Sequence, residues 1–240
     1  MSLVKTIAIS VIGVVLLSGC GGGGGGGDGS APSSQSLGGV WLGTASPIGG
    51  GGSIEMVGII SEAGELHFLS SIEIDIGNVT TSGNTFSGSV TAYTTGSTID
   101  GTVSGTFTPR SSFSGTGVFN GVPTSNFAFT YDDSYERSSS LSKISGTYSD
   151  TTGSYTETYT IGTDGALTGS DTDGCVYNGQ VSIIDASYNA YDIVLTASNC
   201  VATTTFNGLA ALGDDTGTND LLYVSAGNGT TAVVGFVNRM

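Results

Sequence analysis

Basic residues are scarce in this chain of 240 residues, which has 5 Lys and Arg against 20 Asp and Glu and a formal net charge of −15. Proteins that bind nucleic acids or anionic lipid surfaces neutralise phosphates with Lys and Arg. The composition therefore argues against a nucleic-acid partner and against membrane contact through a basic patch. Charged residues of both signs make up only 10% of the chain. Gly, Ser and Thr fill most of the polar positions, which is typical of an extracytoplasmic β-protein.

Histidine occurs once, at His67. No pattern pairs it with a nucleophile, and a zinc site would need several N or S ligands that the chain lacks. His67 alternates with the apolar Leu66 and Phe68, which predicts a solvated strand face. We expect no catalytic residue, no cofactor and no enzyme activity. A glycan hydrolase that uses two glutamates stays a third, weaker hypothesis, because such pairs are recognised by their separation in space.

Helical periodicity is absent after Leu37. Short segments instead alternate apolar and polar residues with period 2, and clusters of Gly, Asn, Asp and Ser separate them. Segments 72–76, 99–107 and 127–131 show the alternation most clearly. The pattern predicts β-strands joined by tight turns.

A weak internal repeat divides this β-region into halves. Segments 39–43 and 146–149 open the two halves, and each is followed by a strand, an acidic-glycine turn and a leucine, Leu66 or Leu167. Each half has room for about eight short strands, the number that closes a meander into a small barrel. The chain is thus predicted to be all-β, with two consecutive antiparallel meanders that form eight-stranded barrels, in lobes 37–140 and 141–240. A single continuous sandwich is the alternative.

The strands of the second half can be placed individually from the same alternation. They are expected near 145–150, 154–162, 166–172, 175–184, 190–199, 203–212, 220–227 and 231–239.

Cysteine is also rare, with 3 residues. The first, Cys20, follows Leu17-Ser-Gly at the end of a short apolar run that is too short to span a bilayer. This segment resembles the lipobox of bacterial lipoproteins. The resemblance implies a signal peptide over 1–19, acyl chains on Cys20 that anchor the protein in a membrane, and a Gly/Ser tether over 20–36 without structure of its own. An uncleaved anchor and a non-lipidated signal are the alternatives.

Cys175 and Cys200 are left as a pair, which predicts a disulfide in an oxidising compartment. They flank a predicted hairpin of segments 175–184 and 191–200, whose loop contains the midpoint between them. A regular ladder would nevertheless put the two cysteines on opposite faces. The bridge therefore requires either a bulge near Gly179 or a Cys200 that lies beyond the last paired residue.

Two acidic loops are weak calcium candidates, because oxygen ligands at such spacing suit Ca²⁺. The candidate ligands are Asp171 and Asp173 in one loop, and Asp214, Asp215 and Asp220 in the other. Ordinary solvated turn residues explain both loops better, so we expect no metal site. Trp41, the single tryptophan, is expected to plug one end of the first barrel rather than to serve as a ligand platform.

The lipobox and the seven glycines over 21–27 resemble, in layout only, the surface lipoproteins of Gram-negative bacteria, such as transferrin-binding protein B and factor H-binding protein. That resemblance implies tandem β-barrel lobes and a binding role. Gly21 after Cys20 fits transport to the outer membrane. We therefore expect a non-enzymatic lipoprotein of the outer membrane, periplasmic or cell-surface facing, that binds a protein or a small ligand. A structural accessory in envelope assembly is the alternative.

Overall fold

A computed structural model describes residues 35–70 and 72–240. It contains two closed antiparallel barrels of eight strands each, so the predicted all-β fold is confirmed and the single sandwich is not found. The predicted signal peptide, Cys20 and the predicted tether as far as residue 34 lie outside the described residues.

The first barrel is a simple meander in which each strand pairs with the next. Its strands are β1 (Gly39–Pro47), β2 (Ile54–Ile60), β3 (Glu65–Ser70), β4 (Ile74–Ser82), β5 (Thr85–Thr94), β6 (Ser97–Thr108), β7 (Ser112–Phe119) and β8 (Val122–Asp132). The barrel closes where β1 pairs with β8, over residues 40–47 and 125–132.

The second barrel repeats this order after a short connection. A 3₁₀ turn (Asp133–Glu136) and helix α1 (Leu141–Ile144) lead into β9 (Gly146–Thr152), β10 (Tyr155–Ile161), β11 (Ala166–Asp171), β12 (Val176–Ile183), β13 (Tyr191–Ser198), β14 (Thr204–Gly213), β15 (Leu221–Gly227) and β16 (Ala232–Arg239). Each strand begins and ends within a few residues of its predicted position. The ladder that closes this barrel, between β16 and β9, has only the pairs Asn238–Ser149 and Arg239–Tyr148.

Alternation along the strands fills each barrel with one set of side chains, as period 2 requires. The first core is rich in phenylalanine: Phe68, Phe86, Phe107, Phe113, Phe127 and Phe129 are all buried in it. The second core is mainly aliphatic, with Tyr148, Tyr177 and Tyr191 among its larger members.

Apolar side chains on the outer surfaces of the two barrels meet in a third buried cluster. The first barrel contributes Val40, Val57, Ile59 and Leu69, and the second contributes Leu209, Ala211, Leu221 and Tyr223. Strand β14 lies against β2, and β15 lies against β4. The two barrels are therefore packed side by side rather than linked only by the chain.

The predicted disulfide between Cys175 and Cys200 is present, with a Cα–Cα distance of 4.8 Å. The ladder between β12 and β13 is regular from Val176–Ser198 onward, so no bulge is involved. Instead Cys200 lies beyond the last paired residue. Asn199 has a φ of 57°, in the left-handed region that Asn tolerates, and its side chain donates to the carbonyl of Gly174 at 2.7 Å. This turn brings Cys200 across to Cys175.

We expect Leu209→Ala to destabilise both barrels, because Leu209 is fully buried between them. Truncating a buried leucine costs about 2 to 5 kcal/mol. Trp41 is the only tryptophan and lies in the first core, so urea unfolding followed by its fluorescence reports on the barrel that does not carry the substitution.

The matched control is Val194→Ala, which removes an apolar side chain that is 43% exposed on the same barrel. It should leave the Trp41 transition in place. An unchanged Trp41 midpoint in Leu209→Ala would mean that the barrels unfold independently.

Candidate functional site

The two ends of the first barrel differ in how they are filled. At the end where β1 begins, Trp41 is fully buried and its indole N–H donates to the carbonyl of Leu37 at 3.1 Å. The rings of Phe113 and Tyr131 pack edge-on against it, with centroids at 4.8 and 5.0 Å. Trp41 therefore closes this end, as the sequence predicts.

The opposite end of the first barrel opens into a cavity of about 240 Å³. Hairpin loops β1–β2, β3–β4, β5–β6 and β7–β8 surround this mouth. Its lining is mostly apolar and includes Ile54, Met56, Phe68, Ala92, Ile99, Val103, Phe119 and Phe127, together with the polar side chains of Ser70, Glu73, Asp75, Thr124 and Ser125.

Two carboxylates, Glu73 and Asp75, stand in this lining. Asp75 pairs in the ladder with Phe68 and Ala92, so it shares their inward face. The side chain of Ser70 holds the preceding hairpin, since its hydroxyl accepts from the N–H groups of Ile72 at 3.2 Å and Glu73 at 3.0 Å. It also donates to the carbonyl of Glu73 at 2.9 Å. Both carboxylates are thereby placed at the rim by a fixed turn.

Burial is the largest cause of the pKa shifts of both carboxyl groups. Asp75 is 7% exposed, and burial, followed by repulsion from Glu73, raises its pKa well above the ordinary value. Burial also raises the pKa of Glu73, and a hydrogen bond with Asp75 opposes that rise. The carboxyl group of Asp75 therefore stays protonated to a higher pH than that of an exposed aspartate. Oδ1 of Asp75 has no hydrogen-bond partner in the described part of the chain.

The corresponding end of the second barrel also carries carboxylates, but these are hydrogen-bonded within the protein. Asp171 accepts from the hydroxyl of Tyr177 at 2.6 Å and from the N–H of Cys175 at 3.0 Å. Burial raises the pKa of Asp171, but these hydrogen bonds outweigh it and the net pKa is lowered. Glu157 accepts from Tyr159 at 3.0 Å. Tyrosine hydroxyls thus occupy the acceptors that a ligand would otherwise use.

Asp214 and Asp220, in the acidic loop between β14 and β15, also have hydrogen-bond or ion-pair partners within the protein. Asp220 accepts from the N–H groups of Asp215 at 2.7 Å and Thr216 at 3.0 Å, and Asp214 is paired with Arg137 at 2.6 Å. No group of three or more His, Cys, Asp or Glu residues suited to a metal ion occurs over 35–70 and 72–240. The calcium candidates, Asp173 included, lie in two separate turns, and these turns are at opposite ends of the second barrel.

The open end of the first barrel and the corresponding end of the second barrel lie on the same side of the molecule. A groove between the barrels is lined by Tyr93 and residues 94–98 of the first barrel and by Thr230 and Thr231 of the second. These residues belong to the β5–β6 and β15–β16 hairpins, which lie at these two ends. Glu73 lines both this groove and the cavity.

His67 is not on a solvated face, so that prediction is wrong. Its side chain points out of the first barrel, as the alternation requires, but it is fully buried against the second barrel. Its Nδ1 is 2.9 Å from the hydroxyl of Ser225, and its Nε2 is 3.1 Å from Oε1 of Glu65. His67 therefore belongs to the contact between barrels and not to the cavity.

The carboxylate pair was missed in the sequence because the local pattern points the other way. Ile74 and Ile76 alternate with Asp75, which favours isoleucines inside and carboxylates outside. In the structure Ile74 lines the groove between the barrels and Asp75 faces the cavity. The sequence offers one contrary indication, Val79. It lies four residues after Asp75 on the same face of β4, and it belongs to the core.

Comparisons with protein-family models, with curated proteins and with solved structures find no match to this chain. Among the residues that the structure describes, no helix has the length and apolar character needed to cross a membrane.

We expect Asp75→Asn to be more stable than the wild type at pH 8 and about equally stable at pH 4. Because the folded-state pKa of Asp75 is raised, the native protein keeps a proton that the unfolded chain releases. This contribution to stability is complete below the unfolded-state pKa and is lost as the pH rises through the folded-state pKa. The difference in unfolding free energy between Asp75→Asn and the wild type should therefore grow as the pH rises from 4 to 8.

Urea unfolding at pH 4, 6 and 8 measures this effect. Among the described residues, no other titratable side chain lines the cavity, and Tyr93 is the one that adjoins Glu73 in the groove. Asp100→Asn is the matched control, because it changes an exposed carboxylate of the same barrel. An Asp75→Asn variant that is no more stable at pH 8 would contradict the desolvated pair.

Proposed function

We propose that this protein is a non-enzymatic, lipid-anchored binding protein of the outer membrane, periplasmic or cell-surface facing, whose first barrel holds a small ligand in its open end. The observation that carries the proposal is the cavity of about 240 Å³, in which apolar walls surround the inward carboxylate of Asp75. Small-ligand sites typically combine an apolar lining with a few convergent polar groups. Eight-stranded barrels are wide enough to hold one such ligand.

The arrangement of Glu73 and Asp75 favours binding over glycan hydrolysis. Glycosidases separate their two carboxyl groups by about 5 Å or more, which leaves room for the reacting sugar carbon or a water. Glu73 lies just before strand β4 and Asp75 lies at its start, so they stand on the same side of the cavity rather than on either side of a bound sugar. His67, the only histidine, is buried between the barrels, so it supplies no general base to the cavity.

The position at which the N-terminal segment joins the first barrel is compatible with a lipid anchor that leaves the cavity accessible. Thr81, beside the β4–β5 turn, donates to the carbonyl of Gln35 at 2.8 Å. The N-terminal segment therefore joins the first barrel near the end that Trp41 closes, opposite the cavity. A Gly/Ser tether of about 16 residues reaches roughly 22 Å. With Cys20 in the lipid, this tether would leave the cavity on the side away from the attachment point.

The anchor has its own test. Cys20→Ala should abolish labelling of the protein with a radioactive fatty acid and leave a precursor or a soluble form, because the sulfur that accepts the lipid is gone. Cys175→Ala and Cys200→Ala together should leave the labelling unchanged. Undiminished labelling of Cys20→Ala would exclude the lipoprotein assignment.

The cavity is tested with three six-carbon probes: hexylamine, hexan-1-ol and hexanoate. Isothermal titration calorimetry uses residues 29–240, which contain both barrels whole. We expect at least one probe to bind with a stoichiometry of one, and Ala92→Phe to reduce that affinity at least tenfold, because Ala92 faces the cavity. Ala128→Phe makes the same change on the exposed outer face of this barrel and should bind as the wild type does.

A further inference from the structure

The cavity of the first barrel presents acceptors and no positive charge. Its titratable side chains are Glu73 and Asp75. Oδ1 of Asp75 is buried without a hydrogen-bond partner in the described residues. A buried polar atom that has no hydrogen-bond partner costs free energy. A ligand group that donates hydrogen bonds and carries positive charge would remove that cost.

The chain keeps its own cations away from this end. The basic residues in the described part of the chain are Arg110, Arg137, Lys143 and Arg239, and all four lie in the connection or at the closed ends of the barrels. Arg110 pairs with Glu136, and Arg137 pairs with Asp214. Lys143 donates to the hydroxyl of Ser138 at 2.7 Å.

At the open end of the first barrel and the corresponding end of the second, in contrast, the charged residues within 35–70 and 72–240 are all acidic. These are Glu55, Glu73, Asp75, Asp100, Asp150, Glu157, Asp171 and Asp173. A surface with charge of one sign attracts counter-charged ligands and raises their local concentration. The field around the cavity therefore favours a cation.

We infer that the ligand of the first-barrel cavity is a primary amine on a short apolar body, with its ammonium group held between Asp75 and Glu73. This inference rests on the proposed function and names the chemical class of its ligand. An ammonium group has three donors, so it can donate to both carboxylates and reach the free Oδ1 of Asp75. Phe68, Met56 and Phe127 would then contact the apolar body.

The size of the cavity limits the body of that ligand. A water takes about 30 Å³ in the liquid, so a cavity of about 240 Å³ accommodates roughly eight non-hydrogen atoms. Hexylamine fits this limit. The same ammonium could come from a free alkylamine or from the side chain of a lysine, and Nα-acetyl-lysine amide represents the second source.

The experiment compares these amines with hexan-1-ol and hexanoate by calorimetry at pH 7.5, on residues 29–240. Hexylamine or the lysine derivative should bind at least tenfold more tightly than hexan-1-ol, and hexanoate should not bind. Whichever amine binds more tightly identifies the source. Asp75→Asn should weaken amine binding at least tenfold and leave hexan-1-ol unaffected. Glu55→Gln, which removes an exposed carboxylate at the same rim, should bind the amine as the wild type does.

The possible failures are distinguishable. If hexan-1-ol or hexanoate binds as tightly as the amines, or if Asp75→Asn keeps full amine affinity, the amine inference is wrong while the cavity stays a ligand site. If none of the probes binds, both the inference and the proposed site are wrong. Glu73→Gln serves as a second variant should Asp75→Asn not fold by circular dichroism, and it should likewise weaken amine binding.

Discussion

The structure depends on the burial of apolar side chains that lie on the outer surfaces of the two barrels, where the barrels contact each other. Leu69 and Ile59 of the first barrel and Leu209 of the second are fully buried in this contact. The contact holds the two barrels side by side and buries His67. It also places the open end of the first barrel and the corresponding end of the second on the same side. Hydrophobic burial of this kind is non-directional, so the hydrogen bond between His67 and Ser225 adds a directional element to the register between the barrels.

The carboxylates at the corresponding ends of the two barrels differ in how they are satisfied. In the second barrel, tyrosine hydroxyls satisfy Asp171 and Glu157. In the first barrel the corresponding space is hollow, and Asp75 keeps an acceptor that nothing in the described chain uses. Natural proteins retain unsatisfied buried groups mainly where function requires them. This difference between two otherwise similar barrels is the reason that the proposed binding site is placed in the first.

The sequence predicts the strands and the disulfide well because their signals are local. Alternation, turn residues and the midpoint between Cys175 and Cys200 all lie within one hairpin or strand. The candidate site is different, because period 2 shows which residues share a face but not which face is inside. Ile74 and Ile76 look like core residues, but their face is turned toward the second barrel. Local periodicity carries no information about a partner barrel more than a hundred residues away.

The ladder between β16 and β9 is short, and the side chain of Arg239 supplements it. Only two residue pairs close the second barrel there, whereas the first barrel closes along the whole of β1. Arg239, at the end of β16, donates to the carbonyls of Ser145 at 2.8 Å and Lys143 at 2.6 Å and lies over the ring of Tyr148. The guanidinium group therefore adds to the two ladder pairs and to the backbone hydrogen bond from Met240 to Thr147 in holding the C-terminal strand to the start of its own barrel. Opening of this seam would convert the second barrel into a curled sheet and leave the first barrel closed.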